Sequence, residues 1–441
     1  MFQELDQILL CSSQPDFTGR LETFQTGMLM AARLAGYGSD ENRKVAGILR
    51  DIAARGDKKL SEFTEKFDNV KLTPEQFRID SQELARAHKD IDSELLASIR
   101  KAIENVREYQ QRIFIGGNSD LSSPTGIRYT PVKRVGVCIP GAAAPLPSTV
   151  IMTAVPAQVA GVKEIAVVSP PRHNGSIHPV ILAVCHELGL TEVYRIGGAQ
   201  AVAALASGTE TIAKVDMIVG PGNKWVQAAK KNVAGDYVGI DSIAGPSEVL
   251  IVANDQANPA WIAADMLSQA EHGTDSSAVV LTDSEKLGRS VLDSLKEQLK
   301  QLTRAEEATK SLVSCSRIIV AESMDKVIEL ADDFASEHLE IQCGDKSRDI
   351  AAKISNAGAI FIGPYTPVAV GDYWAGPSHT LPTGARAKFS SALTSNDFVK
   401  SISIIEYTKD QLAASAEHII RLAEVEGLDA HANSVKIRQQ D

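Results

Sequence analysis

No CxxC pair occurs among the five cysteines (Cys11, Cys138, Cys185, Cys315 and Cys343), which are odd in number and widely scattered. That pattern argues against a disulfide framework and a thiolate zinc site. It leaves free thiols suited to a reducing compartment. No apolar run approaches the roughly 20 residues that a membrane span needs. The opening stretch MFQELDQILLCSSQPDF has acidic residues and no basic n-region, so it does not read as a secretory signal. A basic stripe is also missing, and the net charge is −11, which argues against nucleic acid as a partner. Neither a GxGxxG fingerprint nor a Walker A loop occurs. Short-period repeats and low-complexity tracts are absent as well. The expectation is a soluble, cytoplasmic protein.

What is present is an ordinary globular balance, with 44% hydrophobic and 23% charged residues. A chain of 441 residues suggests about three domains at roughly 150 residues each. Residues 1 to 125 read mostly helical. ENRKVAGILRDIAARGDKKLSEFTEKF has helical apolar spacing with a break at Gly56-Asp57, and SELLASIRKAIENVREYQQRIF is a second amphipathic helix. NSDLSSPTG reads as a loop. From Arg134 the pattern becomes short apolar runs alternating with helical stretches. RVGVCIP, EIAVVSP, EVYRIGG and VDMIVGP form one set. SEVLIVAN, SAVVLTD, SRIIVAE and GAIFIGP form another. Such alternation predicts βαβ units and two largely parallel sheets. After about residue 385 the chain is polar and mixed. One amphipathic helix ends at Gly427, and DAHANSVKIRQQD trails it. A tail this short has little core of its own and is expected to pack on something else, such as a second subunit.

Ligands in open α/β sheets bind beyond the C-terminal ends of the strands. GGAQAVAAL from Gly197, GPGNKW from Gly220 and AGPSEVLIV from Ala244 are glycine-bearing turns of that kind. Each could turn backbone N–H groups and a helix N-terminus toward phosphates, or be a plain turn. In SQAEHGTDSSAVVLTD, Gln269 and His272 stand three apart, one turn along one helix face. FASEHLEI puts Glu337 beside His338 at a helix end. GPYTPVAVGDYWAGPSHTLPTGARAKFSS holds Asp372 and His379 in a long Gly- and Pro-rich loop, and His431 lies in the tail. Solvated helix ends are the plainer alternative for these side chains. A Gln-His-Asp-His set drawn from these side chains would carry one anion, leaving a zinc site with a net charge of about +1 that can accept neutral nitrogen donors. An adjacent carboxylate and imidazole also suit base chemistry.

VPAQVAGV, GPGNKWVQAAK, IAGPSEVLIVA, DMLSQAEHGTDSSAVVLT, SEHLE, GAIFIGPY, VGDYWAGPSHTLPTGARAKFSS and HANSVKIR occur in that order. Together they resemble the histidinol dehydrogenases, from about residue 30 to the C-terminus. The resemblance implies oxidation of L-histidinol to L-histidine through L-histidinal, with two NAD⁺, by a homodimer holding one zinc per active site. It implies Gln269, His272, Asp372 and His431 as metal ligands and Glu337 and His338 as the catalytic pair. Ser247, His379 and Glu426 match substrate-contacting positions, and the metal ligands and His338 also face substrate. Gln200 and Asn223 match cofactor-contacting positions. Cys138 stands where the family commonly has a cofactor-contacting Tyr, and Gly-Ala-Ala-Ala-Pro at 141–145 departs from the usual second Gly.

The expected architecture is two Rossmann-like α/β lobes with mostly parallel sheets, plus terminal segments used in dimerisation. Residues 1–30 would be a helical arm. Residues 31–133 with 247–385 would form the lobe carrying most zinc and catalytic residues, and 134–246 the NAD lobe. Residues 386–441 would complete the partner's site. A relative acting twice on another small alcohol, such as a sulfonated diol, is the alternative enzyme. Glu426, His379 and Ser247 favour a substrate with an amine and an imidazole.

Overall fold

All eight apolar runs become strands in the computed structural model, which describes residues 2–32, 39–141 and 145–440. The chain divides into two units. The first is Met1–Ile113 with Val132–Phe398; the second is Phe114–Pro131 with Val399–Asp441. The strands, numbered along the chain, are β1 (Leu9–Cys11), β2 (Thr125–Pro131), β3 (Arg134–Cys138), β4 (Glu164–Val168), β5 (Glu192–Tyr194), β6 (Met217–Val219) and β7 (Gly239–Ile240), followed by β8 (Glu248–Ala253), β9 (Ser277–Thr282), β10 (Arg317–Val320), β11 (His338–Gln342), β12 (Ala359–Ile362) and β13 (Val399–Ile405).

The first unit holds two sheets, ordered β5-β4-β3-β6-β7 and β1-β10-β9-β8-β11-β12. Every neighbouring pair in both is parallel. Within each lobe the strands follow the order 3-2-1-4-5, the doubly wound arrangement, with β1 added at one edge. The expected two-lobed, mostly parallel α/β fold is therefore what forms. The strands read as continuous apolar runs because helices cover both sheet faces. On the six-stranded sheet, Val249, Ile251 and Val280 fill one core while Leu250, Val252 and Leu281 fill the other. Each such burial contributes roughly 1.5–3 kcal/mol.

Two segments pack where the expected division did not put them. The first thirty residues, expected as a helical arm, also supply β1, and Leu5, Ile8 and Leu9 are buried in the six-stranded core. The helix Asp40–Asp68, expected with the 247–385 lobe, sends Val45, Ile48, Ile52, Leu60 and Phe63 into the core of the five-stranded sheet. Its expected break is a kink at Gly56 (φ 50°), where a Cβ would meet the Glu210 carboxylate. The Asp57 N–H donates to that carboxylate at 2.7 Å. Glycine alone fits both demands.

β11 is missing from the sequence reading, which ended a helix at Glu337-His338. The helix stops at Phe334 under a left-handed Ala335, and the pair opens a strand instead. HLEIQ does not read as a buried strand because three of its five residues are polar, yet all five are buried. The Gly- and Pro-rich loop also contains a short helix, Val368–Tyr373.

In the second unit, β2 pairs antiparallel with β13, so residues 114–131 join the C-terminal segment. The helices Lys409–Val425 and Asp429–Lys436 pack on each other there, burying Ala416, Ala423, Ala432 and Val435. Among the described residues, no helix is long and apolar enough to cross a membrane.

Candidate active site

β8 and β11 are hydrogen-bonded neighbours at the point where strand order reverses in the six-stranded sheet. Ser247 immediately precedes β8, and Glu337-His338 opens β11. Gln269 stands in the last turn of the helix that leads into β9, and His272 lies just past its end. The candidate residues thus gather at the N-terminal edge of this sheet, opposite to the edge where ligands usually bind. The chemistry explains the choice. Helices running back to parallel strands deliver their C-terminal ends to that edge, and the negative end of a helix dipole favours cations.

One residue of β8 holds both members of the Glu-His pair. The Glu248 N–H donates to Glu337 Oε2 at 2.8 Å, and His338 Nδ1 lies 3.0 Å from the Glu248 carbonyl. The carbonyl requires a hydrogen on Nδ1, so in the neutral ring Nε2 is the basic nitrogen. Nε2 is buried without a hydrogen-bond partner, 3.8 Å from Asp372 Oδ1. Gly358 allows the close approach behind the pair, since a Cβ there would sit 2.5 Å from the Glu337 carbonyl oxygen.

Electrostatics couple the set. Burial raises the Glu337 carboxyl above its ordinary range, against the pull of His338, the Glu248 N–H and His272. Burial also works against charge on His338, but the Glu337 and Asp372 carboxylates outweigh it and lift the imidazole to about 9. Asp372 is held below the usual value because His338, His379 and His272 outweigh its burial. Burial lowers His379, whose Nδ1 lies 3.2 Å from the Asp372 carbonyl. Glu337, His338, Asp372, His379 and His272 therefore act on one another across a common space.

Gln269 is buried, and its Nε2 has no partner. The amide can equally present its oxygen there instead. His272 is exposed, with Nδ1 at 3.0 Å from the Ser268 carbonyl, which leaves Nε2 for a ligand. Amide oxygen, imidazole nitrogen and carboxylate oxygen are all donors zinc accepts. Gln269 Nε2 and His338 Nε2 are each buried without a hydrogen-bond partner, and such polar groups are open to a ligand. Among the described residues, no three His, Cys, Asp or Glu side chains stand together as a metal-binding group. Of the expected ligands only His272 and Asp372 are of those types in this unit. Glu426, capping the helix Lys409–Val425, and His431 belong to the second unit, where both are exposed.

The other expected site lies at the C-terminal edge of the five-stranded sheet. Gln200 and Asn223 line one cavity of about 700 Å³, with Gly198, Trp225, Lys66 and Arg172. Asn223 caps its helix through the N–H groups of Trp225 and Val226. The turn before it is pinned from below. Buried Lys230 pairs with Asp241 and donates to the Gly220 carbonyl, while the Gly220 N–H donates to Asp241. Gln200 Nε2 donates to Asp68 at 3.2 Å, and Asp68 pairs with Arg172. Cationic side chains, aromatic rings and a helix N-terminus suit a dinucleotide with its pyrophosphate. Cys138 departs from expectation. It is buried in the core, burial pushes its thiol up to about 12, and it does not line this cavity. The departure at 141–145 falls mostly outside the described residues.

Sequence reasoning missed Glu248 and Asp68. Burial and the nearby Glu337 charge push Glu248 up to about 7, and its Oε1 accepts the Gly384 N–H at 2.9 Å. Glu248 was hidden as the first residue of an apolar run, and Asp68 as a helix-ending acid. No local signal separates either from a surface carboxylate.

The histidinol dehydrogenase family model matches residues 34–439. A histidinol dehydrogenase of Thermosynechococcus vestitus is 45% identical over 410 residues, covering 92% of this chain and 94% of that protein. One from Oceanobacillus iheyensis is 45% identical over 404 residues, covering 91% and 93%. Among solved structures, histidinol dehydrogenase from Elizabethkingia anophelis superposes with a TM-score of 0.89 at 35% identity, covering 98% of each chain.

Proposed function

Because the chain belongs to the histidinol dehydrogenase family, we propose that it oxidises L-histidinol to L-histidine through L-histidinal, with two NAD⁺ per turnover. The site combines Gln269, His272 and Asp372 with Glu337 and His338 of one chain and His431 and Glu426 of a second copy. The observation that carries the reading is the double grip of Glu248 on Glu337 and His338, which leaves His338 Nε2 unpartnered beside Asp372.

Gln269, His272, Asp372 and His431 would hold zinc, which would supply a divalent charge suited to a substrate with nitrogen donors, and the Gln200–Asn223 cavity would hold NAD⁺, the hydride acceptor. Deprotonated at Nε2, the form favoured as pH rises toward 9, His338 takes the hydroxyl proton as hydride leaves the carbinol carbon. The Glu337 carboxylate then takes a proton from the water that adds to the aldehyde carbon, and His338 takes the hydrate's hydroxyl proton in the second oxidation. His379 and Ser247 orient the substrate, and Glu426 faces its amine or imidazole. Water is kept out of the first step by the burial of Glu337, His338 and Gln269. The deciding measurement is NADH formed per histidinol consumed. Two is expected, and one would sink the double oxidation.

Exposed apolar side chains support the second copy. Leu422, Val425 and Leu428 stand on and just past the helix Lys409–Val425, and Val425 is 83% exposed. Mixing His338→Asn chains with His431→Asn chains tests the sharing. Random pairing puts half the chains in mixed dimers, each with one intact site, so about a quarter of parental activity is expected. No recovery in verified mixed dimers would place each site within one chain.

A further inference from the structure

A second buried polar cluster takes no part in that chemistry. Glu340 and Gln342 follow His338 along the same face of β11, two and four residues on. Gln342 Nε2 donates to Asp265 Oδ2 at 2.9 Å and to Glu340 Oε2 at 3.0 Å. The Val368 N–H donates to Glu340 Oε1 at 3.0 Å. Burial raises both the Glu340 and the Asp265 carboxyls, and the two act on each other through a side-chain hydrogen bond. The groups acting on Glu340 are thus Asp265, the Gln342 amide and the Val368 N–H.

The placement of these groups gives the cluster its meaning. Asp265 lies one turn before Gln269 on the helix Pro259–Ala270. Val368 opens the helix Val368–Tyr373, and Asp372 follows one turn later. His338 opens the same strand as Glu340 and Gln342. One network therefore touches every element that carries Gln269, Asp372 or His338. We propose that Asp265, Glu340 and Gln342 are positioning residues, a hydrogen-bonded clamp that fixes these three elements so that the metal ligands converge. The proposal rests on the zinc reading above. Burying the Glu340 carboxyl beside a half-buried Asp265 is costly, and an apolar filling would hold the elements together as strongly. What the polar clamp adds is direction, since each hydrogen bond is satisfied at only one relative position of strand and helices.

The test measures zinc affinity by competition with a chromophoric chelator, alongside the thermal midpoint of the metal-free protein. Asp265→Ala and Glu340→Ala are expected to weaken zinc binding by roughly 10–100-fold, as when a group supporting a ligand is lost. Glu340→Gln keeps an N–H for Asp265 and a carbonyl for Val368 and loses only the bond accepted from Gln342, so it is expected to fall between the parent and Glu340→Ala. Gln342→Met, which removes the shared donor without changing charge, is the variant to use if the alanine chains do not fold. It is expected to weaken zinc by about tenfold. Unchanged zinc affinity with a lowered thermal midpoint would reduce the cluster to a structural role and overturn the proposal. So would Glu340→Gln as damaged as Glu340→Ala. If the parent itself binds no zinc, the zinc reading fails, and amide hydrogen exchange still judges the clamp. The Val368 N–H should then exchange faster in Gln342→Met than in the parent, and equal protection would overturn it.

Discussion

Replacing Glu337 with Gln is expected to lower kcat on supplied histidinal by about 10²–10⁴-fold, the usual contribution of a positioned base. The same variant should lose much less on the histidinol-to-histidinal step, which needs His338 but no water. The amide is nearly isosteric and leaves an oxygen for the Glu248 N–H, so the grip on the strand persists. It cannot take a proton from water. The change removes a buried carboxyl that burial already holds above its ordinary range, so the fold loses no favourable charge. The measurement is single-turnover NADH formation from each substrate. Equal slowing of both steps would remove Glu337 from the water step. It would point instead to a shared effect through His338, 3.6 Å away.

His272→Asn is expected to strip zinc and activity together. Losing a group that merely supports a metal ligand typically costs 10–100-fold in affinity, and losing a ligand should cost more. The side chain is exposed, so its removal opens no cavity and the thermal midpoint of the metal-free protein should stay near the parent's. That separation makes the variant informative, because lost zinc at unchanged apo stability isolates coordination from folding. Metal content by mass spectrometry after dialysis is the readout. Full zinc occupancy in the variant would end the ligand assignment for His272.

The fold was largely legible along the chain. The strands from Arg134 onward announce themselves because helices cover both sheet faces, and burial leaves no room for polar residues in most of them. β11 escaped for the opposite reason. His338, Glu340 and Gln342 share one face, and polar residues at alternate positions do not read as buried. That exception marks the place where chemistry displaces packing. Residues 1–30 and 40–68 were read correctly as helical, but which lobe they would pack on was not. Helical periodicity identifies an apolar face and says nothing about its partner.

Residue identity along the chain was enough to name the side chains able to accept protons or hold a cation, and to establish the family. Which of them meet, and at which sheet edge, came only from the packed molecule. Candidate cation-binding groups collect where helix C-termini arrive at the six-stranded sheet, and the cavity lined by Gln200 and Asn223 opens where helix N-termini leave the five-stranded one. Glu248 shows why this could not be foreseen. Its backbone orients two side chains some ninety residues away, by hydrogen bonds that exist only once β8 and β11 lie side by side.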